Sequence, residues 1–414
     1  MNSIELESWY VNANDPDALT YLLGLSEFRV AGIEYDAMFA CLVIISEPVS
    51  PQASCPDCGH MSRRVHQYHR RAVRDFSMAG RETYIEFSLR RFKCQPCDAV
   101  FTEQLEAIAP YARYTRRYQQ FLYKQVRGRS VQSVRRQEKL GYKAVEGQFY
   151  QQIEKVVERE NTGVVRRLGI DEIALKKGHK YALIISDLER RQVIEVLPDR
   201  KKETLEAYFD TWSLAQRQAV QDVAVDLWKQ YHQAVQAKLP NARLNADRFH
   251  VMKQLNDQVT KTRRTIQRQV DPQQKDQLKG SRWLLVRNQE NLSEKQQAKL
   301  DTIYAVSEEL KILHQLKEAF RDIFETAPDR DTAELQLIAW MITATATGFA
   351  ALGKFVSTLA QYWDSILNYF NEHITSGFVE GMNNKIKLVK RIAYGYGNFD
   401  HFRWRVLFEC NGSP

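Results

Sequence analysis

Apolar and polar residues alternate through Tyr84-Ile-Glu-Phe-Ser-Leu-Arg-Arg-Phe92, so Ile85, Phe87 and Leu89 share one face and the segment reads as a strand. Further along, the period lengthens. Phe121, Leu122 and Val126 recur at helical spacing, Gly128-Arg-Ser130 offers a turn and an N-cap, and Val131 with Val134 opens a second helix. After a break at Gly141, the residues Val145, Phe149 and Ile153 mark a third. Three short helices with Arg and Lys on their outer faces predict a helix-turn-helix module over residues 111–160, although a plain three-helix bundle would show the same periodicity.

From Val164 the pattern returns to strands. Val164–Ile170 runs up to Asp171, Tyr181–Ser186 follows a turn, and Val193–Leu197 completes a meander. Next come a helix from Lys202 to about Gln216, a short apolar strand Val223–Val225 ending at Asp226, and an amphipathic stretch Leu227–Leu239. The strand Ala242–Ala246 ends at Asp247. Residues 254–370 read as helices, rich in Gln, Lys and Leu. A last amphipathic helix covers Ser376–Arg391, with Glu380, Asn384, Lys387 and Arg391 along one side and Phe378, Met382, Ile386 and Val389 along the other.

The order β-β-β-α-β-α-β resembles the RNase H-like fold, in which the first and fourth strands lie side by side and bring two carboxylates together. Aspartates at strand ends are also common turn formers, so the pairing of Asp171 with Asp226 is the informative feature. The whole chain is therefore expected to be a multidomain α/β protein. Its parts are an N-terminal region (1–110) with a zinc ribbon at about 50–105, the helix-turn-helix module (111–160), and an RNase H-like core (161–253 and 371–414). That core is interrupted by an all-α insertion (254–370).

Charge sharpens this picture. The net charge is +8 over 414 residues. Residues 1–50 carry one basic and eight acidic side chains, whereas residues 60–145 carry 19 basic and seven acidic ones. A basic block of that density suits a polyanionic partner such as nucleic acid, or simply a solvated surface. No run reaches the ~18 apolar residues that a membrane span requires, and the acidic start MNSIELESWY lacks the basic and apolar regions of a signal peptide. A cytoplasmic protein without membrane association is expected.

Four of the six cysteines form the pairs Cys55-Pro-Asp-Cys58 and Cys94-Gln-Pro-Cys97. In a reducing compartment two such knuckles supply four thiolates for one structural Zn²⁺ ion, with the Tyr84–Phe92 strand in a hairpin between them. His60, His66 and His69 are possible competing ligands, and disulfides or a redox pair are the competing chemistry.

Nearly the whole chain resembles bacterial insertion-sequence transposases of the ISL3 family. The markers are the CPDC and CQPC knuckles, Gly169-Ile-Asp-Glu172, Val225-Asp-Leu-Trp228 with Tyr231, and Asp247-Arg-Phe-His250. They continue in Glu380-Gly-Met-Asn-Asn-Lys-Ile-Lys387 and Gly395-Tyr-Gly-Asn-Phe399 with Phe402-Arg403. The resemblance implies a DDE transposase whose catalytic carboxylates are Asp171, Asp226 and Glu380, with His250 from a D-x-x-H signature. Two Asp and one Glu are hard oxygen ligands suited to two Mg²⁺ (or Mn²⁺) ions, which serve in-line displacement at phosphorus.

The implied partners are double-stranded DNA, as terminal inverted repeats and as target, and a second copy of the chain in a homodimer or larger homo-oligomer. Candidate DNA contacts are Arg116, Arg117, Arg127, Arg129, Arg135 and Arg136 of the helical module, Lys387 and Arg391 of the late helix, and Trp283, which Arg282 and Arg287 flank. A catalytically silent DNA-binding regulator and a metal-dependent nuclease that never joins strands are the alternative functions.

Overall fold

The computed structural model describes residues 16–159, 163–176, 178, 180–372, 377–393 and 395–411, and the side chains of 16–17, 155–159, 377 and 380 fall outside that description. The chain divides into two compact units, residues 1–152 and 153–414.

The first unit opens with helix α1 (Pro16–Leu23) and strands β1 (Phe28–Asp36) and β2 (Cys41–Pro48). Two very short strands, β3 (Ala53–Ser54) and β4 (Met61–Ser62), bracket the first cysteine knuckle. The long hairpin β5 (Val65–Met78) and β6 (Arg81–Lys93) leads to β7 (Val100–Thr102) beside the second knuckle. The sheet order is β1-β2-β6-β5, with β7 on β6. As expected, a hairpin lies between the knuckles, but it belongs to a larger sheet to which residues 28–48 contribute two strands. Ile85 and Phe87 are buried with Phe28, Val30, Ile44 and Val73, and Leu89 packs at the margin.

Helices α2 (Arg116–Val126), α3 (Val131–Gln137) and α4 (Tyr142–Arg159) follow. Ser130 caps α3 by accepting from the Ser133 amide at 3.0 Å, and Gly128 takes the positive φ of 69° that the tight turn demands. Leu122, Val126, Val131, Val134, Val145, Phe149 and Ile153 are buried, the set that the helical period selects.

The second unit is built on β8 (Arg167–Lys176), β9 (Lys180–Asp187), β10 (Gln192–Leu197), β11 (Asp222–Val225) and β12 (Arg243–Ala246). Their order is β10-β9-β8-β11-β12, so the first and fourth strands are neighbours. β9 is antiparallel to β8 and β10, and β11 is parallel to β8 and β12. Between β10 and β11 lie α5 (Lys202–Asp210) and α6 (Leu214–Ala219), and α7 (Lys229–Lys238) joins β11 to β12. The single helix expected over 202–216 is thus two, because Ser213 starts α6 with a capping box shared with Gln216.

Strand alternation sends Leu183 and Ile185 towards Leu205, Phe209, Tyr231 and Val235. It sends Ala182 and Ile184 to the opposite face, against Met382, Ile386, Phe402 and Val406. Those last residues come from α16 (Gly377–Ile392) and α17 (Phe399–Asn411).

Between β12 and α16 the described residues form only helices and one short 3₁₀ turn at Gln289–Asn291. These are α8 (Arg248–Gln269), α9 (Pro272–Gln277), α10 (Arg282–Val286), α11 (Glu294–Val306), α12 (Glu308–Thr326), α13 (Arg330–Ala346), α14 (Ala350–Gln361) and α15 (Trp363–Glu372). Their own core centres on Phe320, Phe324, Leu337, Trp340 and Phe355. The Asn368 side chain of α15 ties this helical body to the sheet by donating to the Leu244 carbonyl at 2.9 Å.

Candidate active site and DNA interface

At the knuckles, backbone turns aim the thiols inward. The Cys55 amide donates to the His60 carbonyl at 2.9 Å and the Cys94 amide to the Ala99 carbonyl at 2.8 Å. Cys55 Sγ lies 3.6 Å from Cys97 Sγ, and Cys58 Sγ 3.5 Å from Cys94 Sγ. All four sulfurs fall within 4.8 Å of one another. A tetrahedron with Zn–S bonds of about 2.3 Å has edges of roughly 3.8 Å, so the set fits one zinc ion. None of the six cysteines is in a disulfide, and His60, His66 and His69 are not part of the cluster found among the described residues.

In the second unit, Ile170 of β8 and Ala246 of β12 both pair in register with Val225 of β11. The next residues, Asp171 within β8 and Asp226 and Asp247 just past the ends of β11 and β12, therefore follow the same register on three adjacent parallel strands. Asp171 is not the last residue of its strand, as the hydrophobic pattern suggested. β8 continues against β9 as far as Lys176, and only its pairing with β11 stops at Ile170. Alternation turns Asp171 to the α16 side, and there the Asn383 amide donates to its Oδ2 at 2.5 Å. Glu172 points to the other face, where it accepts from the Tyr231 hydroxyl at 2.8 Å and pairs with Arg200 at 3.2 Å.

His250, in the first turn of α8, sets Nδ1 2.8 Å from Asp226 Oδ1 and Nε2 3.7 Å from Asp247 Oδ2. Asp247 caps that helix, its Oδ1 accepting from the Phe249 amide at 2.8 Å. Burial, helped by the negative charges of Asp247 and Asp226, raises the Asp171 carboxyl above its ordinary value. Asp226 is half-buried, but its hydrogen bond to His250 more than offsets the desolvation and holds it below the ordinary range. For His250, burial acts downward and Asp226 prevails, so the imidazole is shifted up.

Glu380 lies in the first turns of α16, and its side chain is outside the described residues. A Cβ built on Gly169 would come within 2.8 Å of Val379 Cγ2, so α16 crosses β8 at the one residue without a side chain. Lys390 anchors the far end by donating to the carbonyls of Ala174 and Leu175 at 2.7 and 2.9 Å.

Asn383 and Lys390 were not among the sequence candidates. The sequence points to the polar stripe Glu380-Asn384-Lys387-Arg391, but Asn384, Lys387 and Arg391 are exposed, and the sheet-facing set lies one residue round the helix. The 3.6-residue period contains that signal only when Val379, Asn383, Ile386 and Lys390 are read together.

The basic candidates divide. Arg116 and Arg136 are exposed, and Arg127 and Arg135 are half-buried. Arg129 bridges α2 to α3 through Gln125 and Gln137, each at 2.8 Å. Arg117 departs from the expectation of a DNA contact: its guanidinium forms a double hydrogen bond to the buried Asp75 and donates to the Leu23 carbonyl at 2.6 Å. In the helical body Trp283 is 66% exposed with Arg282 over its ring, whereas Trp340 is buried. Among the described residues no helix is long and apolar enough to cross a membrane.

Comparison with known proteins gives this arrangement a class. Residues 168–406 match a family of transposases, residues 51–97 match the zinc-finger of transposase IS204/IS1001/IS1096/IS1165, and residues 103–152 match the helix-turn-helix domain of transposase family ISL3. The transposase for insertion sequence element IS1001 of Bordetella parapertussis is 31% identical over 90% of this chain and 92% of its own length. The transposase for insertion sequence element IS1557 of Mycobacterium tuberculosis is 26% identical over 56% of the chain and 57% of its own. The chain belongs to the ISL3 family of DDE transposases, and carries the zinc ribbon, helix-turn-helix and transposase domains in that order.

Proposed function

We propose that the chain binds the terminal inverted repeats of an insertion sequence and catalyses metal-dependent DNA cleavage and strand transfer, with Asp171, Asp226 and Glu380 as metal-holding carboxylates. The observation that carries this reading is the register of β8 and β11. It sets Asp171 and Asp226 side by side under a helix that also bears Glu380. The strand order β10-β9-β8-β11-β12, with helices on both faces, supports an RNase H-like core. The helical run α8–α15 supports an all-α insertion within it.

The residues present fit divalent metal. Burial and the repulsion of neighbouring carboxylates hold Asp171 above its ordinary pKa, and among the described residues the buried Oδ1 of Asn383 has no hydrogen-bond partner. A cation relieves both. When bound, a pair of Mg²⁺ (or Mn²⁺) ions would activate an attacking oxygen and stabilise the leaving one. Asp171, Asp226 and Glu380 would hold them. The chain's own part is to keep the Asp171 carboxylate oriented through Asn383 and the Asp226 carboxylate through His250. The exposed Lys387 and Arg391 offer positive charge to the phosphodiester backbone on the outer face of the same helix. Water as attacking group nicks an end, and a freed 3′-hydroxyl joins it to target. Two ends joined to one target call for two such sites, hence at least a homodimer, acting on DNA in the cytoplasm.

The test is a labelled duplex ending in the DNA that flanks the coding sequence, incubated with target plasmid and Mg²⁺. Nicked and joined products are expected, and chelation should abolish both. Nicking without joining would support a nuclease, and binding without either product a regulator.

A further inference from the structure

The ribbon hairpin and the segment entering the helix-turn-helix enclose a cleft of about 780 Å³ that no motif described above explains. It lies wholly within the first unit. β5 and β6 build one wall: His69 pairs with Leu89, and Arg71 with Phe87. The face that buries Ile85 and Phe87 thus emerges from the core as Leu89 and then Arg91. The opposite wall is the segment 102–111, and Arg116, the first residue of α2, closes one end.

Four basic side chains therefore converge, His69, Arg71, Arg91 and Arg116, from both sides of the junction between the two family domains. Arg71 is fixed in place, its Nη2 donating to the Ala112 carbonyl at 2.6 Å. Arg116 is fixed through its backbone, whose amide donates to the Ala107 carbonyl at 2.8 Å. No hydrogen bond or ion pair among the described residues engages the guanidinium of Arg91 or Arg116. The single carboxylate in the lining, Glu103, is held by Arg90 with Nη2 to Oε2 at 2.6 Å, so it does not neutralise them.

We propose that this cleft is a phosphate-binding site for the DNA strand that runs past the helix-turn-helix, so that ribbon and helices grip one duplex jointly. The inference rests on the DNA-binding reading above and adds a contact surface to it. Three arginines line one cleft whose only carboxylate is already paired with Arg90, so they raise the local potential, and a polyanion lowers it. The cleft is much larger than one phosphate ion and runs out to Arg116, which suits successive phosphates of a strand. Leu89, half-buried in its lining, offers apolar surface to the sugar between them.

The experiment uses the full-length chain and a labelled duplex from the DNA flanking the coding sequence, with affinity measured across a salt series. Each phosphate contact contributes about 0.9 to the slope of log affinity against log salt. Arg91→Ala should therefore flatten the slope by roughly that amount. Arg91→Glu should weaken binding about tenfold or more at low salt, and Arg91→Lys should stay near the parent. Zinc content and melting temperature equal to the parent's show that the variants are folded. Ethylation interference should lose a phosphate signal in Arg91→Ala that persists in Arg136→Ala.

Arg91→Glu that is folded yet binds with the parent's affinity and slope overturns the proposal. So does inorganic phosphate that competes beyond its ionic strength in the parent while every Arg91 variant keeps full DNA affinity, because the cleft would then serve the free ion. A parent that binds no duplex at all overturns the underlying DNA-binding reading and this site with it.

Discussion

Asn383 of α16 reaches across 212 residues of chain to the carboxylate of Asp171, its amide nitrogen 2.5 Å from Oδ2. One bond thus couples the late helix to the first strand of the sheet. Asn383→Ala removes the donor and leaves a half-buried carboxylate with one partner fewer, a cost of about 1–2 kcal/mol. Asn383→Asp adds a negative charge at the same place. Thermal unfolding should show a loss in both, larger for Asn383→Asp without divalent metal, and added Mg²⁺ should restore more stability to Asn383→Asp than to Asn383→Ala. Equal responses would show that the position does not sense the carboxylate cluster.

Gly169 is the point where α16 touches β8. A methyl group there would sit 2.8 Å from both Val379 Cγ2 and Leu188 Cδ2, so those side chains, or the helix and loop that carry them, must shift. Gly169→Ala should destabilise the second unit by roughly 1–3 kcal/mol. It should also depress strand cleavage much more than DNA binding, because it displaces the helix that bears Glu380. Cleavage at the parent's rate would show that the crossing tolerates the shift.

The two knuckles hold four sulfurs within 4.8 Å. Cys94→Ser should lower zinc from about one ion per chain to near none. It should also destabilise the ribbon, where Cys94 is buried with Phe92 and Phe101. Metal analysis of purified protein checks the first and limited proteolysis around residues 50–105 the second. Full zinc occupancy in the variant would contradict the four-thiolate site.

His314 is fully buried in the helical body, its Nδ1 2.7 Å from the Tyr304 hydroxyl and its Nε2 3.5 Å from Lys317 Nζ, with Glu318 at 3.9 Å. Burial and the Lys317 charge push its pKa down to about 4. A depressed histidine lends its stability above the unfolded value near 6.5 and loses it as pH falls towards the folded one. Stability should therefore drop by on the order of 3 kcal/mol between pH 7 and pH 4 on this account. His314→Gln should flatten that slope whatever its effect at neutral pH. Parallel pH profiles for parent and variant would refute the assignment.

Much of this was legible in the sequence where one period dominates. Strand alternation marked β6, apolar runs between turns marked β9 and β10, and helical spacing selected the buried residues of α2, α3 and α4. Two cysteine pairs marked the ribbon. Tertiary context hid the rest. The end of the hydrophobic run at Ile170 looked like the end of a strand, but Asp171 stays in the sheet because β9 continues to pair beyond it. The helical body was expected from residue 254, whereas α8 begins at Arg248, directly after its cap Asp247. On α16, two adjacent asparagines left the choice of inward residue to a single step of rotation, and only packing against Gly169 settles it. Arg117 read as one more outward cation because Asp75, its partner, lies 42 residues away.

The most direct test of the proposed chemistry compares Asp171→Asn, Asp226→Asn and Glu380→Gln in Mg²⁺-dependent cleavage of a labelled transposon end. DNA binding is followed in parallel, and Glu172→Gln, Asp187→Asn and Asp247→Asn are the comparators. Each of the three site variants should lose several orders of magnitude in rate, about 4 kcal/mol or more of transition-state stabilisation. Binding should hold or tighten as negative charge is removed. Glu172→Gln should retain cleavage, since Glu172 faces Tyr231 and Arg200 on the far side of the sheet, and Asp187→Asn should too. Normal cleavage by Asp226→Asn with a dead Asp247→Asn would move the second metal ligand to the neighbouring strand. Parent-like cleavage by Asp171→Asn, Asp226→Asn and Glu380→Gln alike would contradict the three-carboxylate site altogether.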